Sequence, residues 1–212
     1  MIRTVIFDFD GTLADTSEGI VRTMQATLRK MGLPVTDEFT IRQAIGLPLA
    51  GSVSVGGHVP DDRVDEGVRT YRELFDGIAL PIISLFDGVK ETLEELKRRG
   101  ITCAIATSRG SRSLDIILNS NGIADCFDFK ATSNGDYRPK PAPDMVLYIL
   151  DQLGAKAEET LVVGDTTFDI DMGNAAHCHT CGVTYGNHDR AKLLTSRPDH
   201  IADRMTDILN FL

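Results

Sequence analysis

The 212-residue sequence predicts an α/β fold: a doubly wound parallel sheet with helices on both faces, carrying a small all-helical domain inserted after the first strand. Three observations predict it. Short β-branched or apolar runs recur at residues 3–7, 101–107, 161–164 and 181–185, the pattern of strands buried on both faces. Helix-period stretches, each closed by a glycine, separate the later runs. Between Asp15 and about Phe86 the strand pattern is missing and only helix-like stretches remain.

Taken in order, Arg3-Thr4-Val5-Ile6-Phe7 forms the first strand and ends at Asp8. Residues 16–31 and 61–75 are the clearest helices of the insertion, with the looser Gly46-Leu47-Pro48-Leu49-Ala50-Gly51 and Val55-Gly56-Gly57-His58 between them. Asp15 and Glu18 have capping-box spacing, which makes Asp15 the expected N-cap of the first inserted helix. The expected division is therefore a core of residues 1–14 and 87–212 and a helical cap of residues 15–86. In the core, residues 89–99 place Val89, Leu93 and Leu96 on one stripe, put Lys97, Arg98 and Arg99 in the last turn and stop at Gly100. Residues 113–121 stop at Gly122 and residues 142–153 at Gly154 in the same manner.

Hydrophobic residues at 42% and charged residues at 25% describe an ordinary globular chain with material for a core. A net charge of −9 argues against nucleic acid or an anionic membrane as partner, so a small anionic substrate needs a local positive site. The start, Met-Ile-Arg-Thr-Val, has no secretory pattern, and no apolar run approaches the roughly 18 residues of a membrane span. A cytoplasmic location is expected. Four cysteines do not make a disulfide scaffold. Cys178 and Cys181 have the spacing of a zinc or redox pair, with His177 and His179 beside them, but no second pair exists to complete a tetrahedral site. Buried thiols are the expected role.

In an open parallel sheet, ligands bind beyond the carboxyl ends of the strands. Those ends carry Asp8 and Asp10, then Thr107-Ser108-Arg109, then Asp165 with Asp169 one helical turn on; Lys140 precedes the third strand. Two like charges about 4 Å apart cost on the order of 4 kcal/mol at an effective dielectric near 20. Clustered carboxylates therefore require bound protons or a cation, and a hard divalent ion with oxygen ligands, such as Mg2+, suits this set. Lys140 lies between Pro139 and Pro141, which fix the backbone and favour a placed side chain over a solvated one.

The runs Asp8-Phe9-Asp10-Gly11-Thr12-Leu13, Thr107-Ser108, Lys140-Pro141-Ala142-Pro143-Asp144 and Gly164-Asp165-Thr166-Thr167-Phe168-Asp169 resemble, in order, the four motifs of the haloacid dehalogenase-like hydrolase superfamily. Within it the chain is most similar to phosphoglycolate phosphatase-like members, whose cap is inserted after the first motif of a Rossmann-like core. The resemblance implies a magnesium-dependent phosphatase acting on a small phosphorylated metabolite, as a monomer or small homo-oligomer. By the same resemblance Asp8 is the nucleophile that becomes an aspartyl phosphate, and Asp10 is the general acid and then base. Asp8, the carbonyl of Asp10 and Asp165 are the metal ligands, with Asp169 either a ligand or a support for one. Thr107 through its hydroxyl, Ser108 through its main-chain amide and Lys140 through its charge hold the phosphoryl group.

The family also contains dehalogenases, which lack an acid at the position of Asp10. A β-phosphoglucomutase-type sugar phosphomutase and an inorganic pyrophosphatase share the core motifs, and a catalytically silent phosphate binder is the non-enzyme alternative. Mutase relatives place an arginine in the cap loop, and residues 46–54 contain no basic residue, which favours hydrolysis. Where relatives have a glycine after the fourth motif this chain has His177, so that position is expected to be left-handed. Arg109 is left between a surface charge, a phosphate contact and a partner for the cap.

Overall fold

The computed structural model describes residues 1–212. Strand β1 (Thr4–Phe7) is followed by a tight loop and the two-residue β2 (Ala14–Asp15). The chain then runs through α1 (Ser17–Lys30), α2 (Glu38–Gln43), the short α3 (Leu49–Gly51), a π-helical turn (Ser52–Gly56) and α4 (Val64–Ile78). It returns through β3 (Ser84–Leu85), which pairs antiparallel with β2. Thereafter strands and helices alternate: α5 (Val89–Arg98), β4 (Thr102–Ala106), α6 (Ser111–Ser120), β5 (Phe129–Ala131), α7 (Asp144–Leu153), β6 (Thr160–Gly164), α8 (Thr167–Ala175), β7 (His179–Val183), α9 (Arg190–Thr195) and β8 (His200–Ala202).

The main sheet has six strands in the order β5-β4-β1-β6-β7-β8, with every pairing parallel. β1 is central, and Phe7 is in register with Ile105 of β4 and Val163 of β6. The residues after these positions therefore emerge side by side at one edge, which is where Asp8, Thr107 and Asp165 lie. Alternation divides the core into two layers. Val5, Phe7, Ile105 and Val163 pack with Leu93, Leu96, Leu114 and Leu118 on one face. Ile6, Ala104 and Val162 pack with Met145, Ile149 and Met172 on the other. Full burial of each large aliphatic side chain stabilises the fold by roughly 1.5–3 kcal/mol. The inserted helices have an apolar cluster of their own, including Met24, Leu28, Ile41, Val53, Tyr71 and Phe75.

Several expectations need correction. The strand placed at residues 181–185 is β7 at His179–Val183, because Leu161 pairs with His179 and the chain turns away after Val183. β5 and β8 lacked a recognisable pattern. Asp15 does not cap α1: it is part of β2, opposite Ser84, and the N-cap position passes to Thr16, whose side chain makes no capping bond. Glu18 instead pairs with Arg22 one turn along. His177 does take the left-handed backbone expected of it, at φ 59°. Cys178 and Cys181, three residues apart, belong to opposite layers of the core and are free thiols. Burial pushes both thiols up to about 12, and their places in opposite layers keep them from sharing one ion.

Candidate active site

The loop after β1 is shaped by Gly11, whose φ of 85° is costly for any other residue. A Cβ there would also lie 2.2 Å from Asp165 Oδ2, so the loop closes directly on that carboxylate. Asp8, Asp165, Asp169 and Lys140 are all buried. Lys140 Nζ donates to Asp8 Oδ1 and to Asp169 Oδ1, each at 2.6 Å. The other oxygen of Asp169 accepts from the main-chain N–H of Thr166 at 3.0 Å and from its hydroxyl at 2.6 Å, which caps α8 and fixes the carboxylate. Asp165 accepts from the Thr12 hydroxyl at 3.1 Å and from both the main-chain N–H and the side-chain amide of Asn187, at 2.7 and 2.8 Å.

Oxygen atoms of Asp8, Asp165 and Asp169 come within 4.8 Å of one another. One lysine faces three carboxylates, so the group carries surplus negative charge. Burial is the main cause that lifts the Asp8 carboxyl well above its usual range, with Asp169 and Asp165 adding to it and Lys140 opposing. Burial, then Asp169, carries Asp165 up to about 7. Burial alone would lower the Lys140 ammonium, but Asp169 and Asp8 outweigh it and its pKa rises. A compact set of buried carboxylate oxygens with surplus negative charge fits a hard divalent cation.

Asp10 stands apart from this cluster. Its carboxylate takes both Nε and a terminal nitrogen of Arg109, the former at 3.0 Å, in a forked pair. Of the four residues expected as metal ligands, the structure therefore groups the side chains of Asp8, Asp165 and Asp169, and Asp10 has only its carbonyl to offer. Arg109 is no surface charge: its side chain is 6% exposed. Its guanidinium lies 5.8 Å from the Phe9 ring centroid and 4.9 Å from that of Phe75, on α4. Thr107 Oγ1 accepts from the Arg109 main-chain N–H at 3.1 Å, and Ser108 Oγ donates to the Gly46 carbonyl at 2.8 Å. The Thr107-Ser108-Arg109 turn thus touches the acid on one side and the helical segment on the other.

These residues open onto a cavity of about 350 Å³. Asp8, Asp10, Thr107, Ser108 and Arg109 line it from the sheet, and Met24, Ile45, Leu47, Tyr71 and Phe75 line it from the helical segment. Arg72 and Arg112 line it too, so the cavity has cationic side chains even though residues 46–54 have none. Asn187, Tyr185 and His188, which no sequence motif marks, join the site from the loop after β7. Tyr185 OH donates to the Thr12 carbonyl at 3.0 Å, and His188 Nδ1 accepts from the Thr167 N–H at 3.1 Å. The available signal was the polar turn Thr184-Tyr185-Gly186-Asn187 directly after an apolar strand, at the carboxyl edge that the other strands had already marked.

A family model described as haloacid dehalogenase-like hydrolase matches residues 5–183. The chain is 38% identical over 209 residues to a protein of Dickeya dadantii named "Probable phosphatase IndB", covering 97% of this chain and 91% of that one. It is 31% identical over 211 residues to pyrophosphatase PpaX of Bacillus cereus, covering 100% and 96%. Among solved structures, a predicted phosphoglycolate phosphatase from Haemophilus somnus superposes with a TM-score of 0.92 at 26% identity, covering 99% of this chain and 97% of that one.

Proposed function

Because the chain belongs to the haloacid dehalogenase-like hydrolases, we propose that it is a magnesium-dependent phosphatase that hydrolyses a small phosphorylated metabolite, phosphoglycolate-like in size, through an aspartyl phosphate. The observation that carries this reading is the contrast between two carboxylates of one loop. Asp8 is paired with Lys140 beside Asp165 and Asp169, Asp10 is paired with Arg109, and both carboxylates line the cavity. Two carboxylates on one cavity can supply a nucleophile and an acid, Asp8 once a bound cation holds it ionised and Asp10 once Arg109 lets it go.

In this reading an Asp8 oxygen forms a bond to phosphorus as the ester oxygen leaves, and the leaving oxygen takes a proton from Asp10. Asp10 then takes a proton from the water that attacks phosphorus; the bond to Asp8 breaks and inorganic phosphate departs. Arg109 must release Asp10 for it to carry the proton, and Phe75 against that guanidinium makes the release sensitive to the helical segment. Thr107 through its hydroxyl, Ser108 through its main-chain amide and Lys140 through its charge would hold phosphoryl oxygens. Asp8, Asp165, the carbonyl of Asp10 and, directly or through its neighbours, Asp169 would hold the ion. When bound, that ion neutralises phosphoryl charge that Lys140 alone cannot. Residues 15–86 act as the cap over a core of residues 1–14 and 87–212, and their share of the cavity sets the substrate.

Asp8→Asn is expected to abolish release of inorganic phosphate from an aryl phosphate while circular dichroism stays unchanged; retained turnover would sink the assignment. Chelation with EDTA is expected to stop the reaction and magnesium to restore it. A second reading, pyrophosphate as substrate, is favoured by Arg72 on the cavity, beside Arg109 and Arg112, which are paired with Asp10 and Asp76. Comparing kcat/KM for pyrophosphate, phosphoglycolate and sugar phosphates decides between them, and formation of an isomeric sugar phosphate would identify a mutase.

A further inference from the structure

The loop after β7 touches both passages of the chain between the sheet and the helical segment. At the first, Asn187 Oδ1 accepts from the hydroxyl of Ser17, the first residue of α1, at 2.9 Å. At the second, the Tyr185 ring lies 4.8 Å from that of Phe86, directly after β3. The same Asn187 gives its main-chain and side-chain N–H groups to Asp165 Oδ2. The amide therefore has its donor end on a carboxylate expected to bind the ion and its acceptor end on the helical segment. Only one orientation satisfies both ends, because a flipped amide would set oxygen against oxygen at Asp165. There is no slack around the carboxylate. A Cβ on Gly186 would lie 2.3 Å from Asp165 Cβ, and one on Gly11 would lie 2.2 Å from Oδ2. The His188 N–H, donating to the Asp165 carbonyl at 3.3 Å, and its Nδ1, bound to Thr167, anchor the loop to the start of α8.

We propose that Asn187 is a positioning residue that couples the seating of α1 to the orientation of Asp165, so that cation affinity depends on how the helical segment sits. This rests on the metal-binding role given to Asp165 under the proposed function. A displacement of Ser17 is carried through one amide to the carboxylate. By linkage, an ion that fixes Asp165 favours the seated position of α1 by the same factor.

The test uses the full chain without substrate, with Mn2+ as probe and its free concentration followed by electron paramagnetic resonance. Asn187→Ala is expected to weaken Mn2+ binding about 10- to 100-fold, the usual cost of losing a hydrogen-bonding partner of a ligand. Its metal-free melting temperature separates this loss from misfolding, and Asn187→Ser serves if the alanine variant does not fold. Ser17→Ala is expected to weaken binding less, and to have no further effect once Asn187 is alanine, because it acts through that residue. Binding by Asn187→Ala within about twofold of the parent, or additive losses in the double variant, would overturn the coupling while leaving the metal site standing. A parent chain that binds no Mn2+ would overturn both.

Discussion

At the sheet edge, Asp8, Thr107 and Asp165 each follow a strand end held by parallel main-chain bonds on both sides. In the helical segment, Met24, Tyr71 and Phe75 sit on helices that pack chiefly on one another. The first group cannot change its mutual distances without breaking the sheet. The second meets the sheet edge through polar or cationic contacts (Ser108 to Gly46, Arg112 to Asp76, Lys192 to Gln43, Ser17 to Asn187 and Arg109 against Phe75), while Leu80 and Ile83 pack against both apolar clusters near the chain passages. Such polar contacts break and reform at little cost, and only the two chain passages at β2 and β3 join the segment covalently to the sheet. On the proposed function, the rigid half carries the chemistry and the more loosely joined half the selection.

The strongest way to break that division is to remove the cation built into the rigid half. Lys140→Met leaves Asp8, Asp165 and Asp169 facing one another with no positive partner. Turnover is expected to fall at least about 10²–10³-fold, the scale of losing one fixed electrostatic contact to a reacting group. Loss of one partner of a buried pair also predicts a drop of about 3–5 kcal/mol in metal-free stability, read by chemical denaturation. A variant with near-normal turnover would mean that Lys140 is structural only.

Metal removal probes the same half by another route. Asp165 is raised to about 7 and Asp8 is raised in the same direction, whereas an unfolded aspartate titrates near 3.9. The folded, metal-free protein therefore holds protons that the unfolded chain gives up. This stability is fully present below about pH 4 and is lost as pH rises through about 7. Denaturation in EDTA is expected to show a lower midpoint at pH 8 than at pH 5, with magnesium reversing the trend at pH 8. A flat profile would mean that the carboxylates are better solvated than their burial implies.

Leu28→Ala makes the complementary cut, opening a void in the apolar cluster of the helical segment, where Leu28 is fully buried. The expected cost is about 2–5 kcal/mol, concentrated in that segment. Turnover of a small aryl phosphate, which needs little from the helices, is expected to fall far less than in Lys140→Met, while KM rises. Equal losses of turnover in the two variants would erase the distinction between the halves.

The same contrast explains what could be read from the amino-acid order. β1, β4 and β6 are continuous apolar runs because both faces of the sheet are covered, and their ends named Asp8, Asp10, Thr107, Ser108 and Asp165. β5 and β8, at the two sheet borders, are three residues each and read Phe-Lys-Ala and His-Ile-Ala, too short and mixed to show a period. Arg109 was visible as a charge but its role was not, because that depends on Phe75 arriving from a helix 34 residues earlier in the sequence. Asn187 was hidden for a similar reason: the hydrogen bonds that define it reach back to Asp165 and Ser17. Local pattern reports which residues a strand delivers, and only packing reports what meets them there.

The finest test concerns the weakest tie. Lys192 Nζ donates to Gln43 Oε1 at 2.7 Å, joining α9 of the core to α2, with both groups near solvent. Water replaces such a bond readily, and the neutral partner adds no ion pairing. Truncation also spares the cap of α9, which uses the Lys192 main-chain N–H on Asp189. Lys192→Ala is therefore expected to shift stability by no more than about 0.5 kcal/mol, with kcat/KM within about twofold of the parent. A larger rise in KM would make this contact part of what seats the helical segment. The coupling would then run through α9 as well as through Asn187, and the mobile half would be more firmly held than its few polar contacts imply.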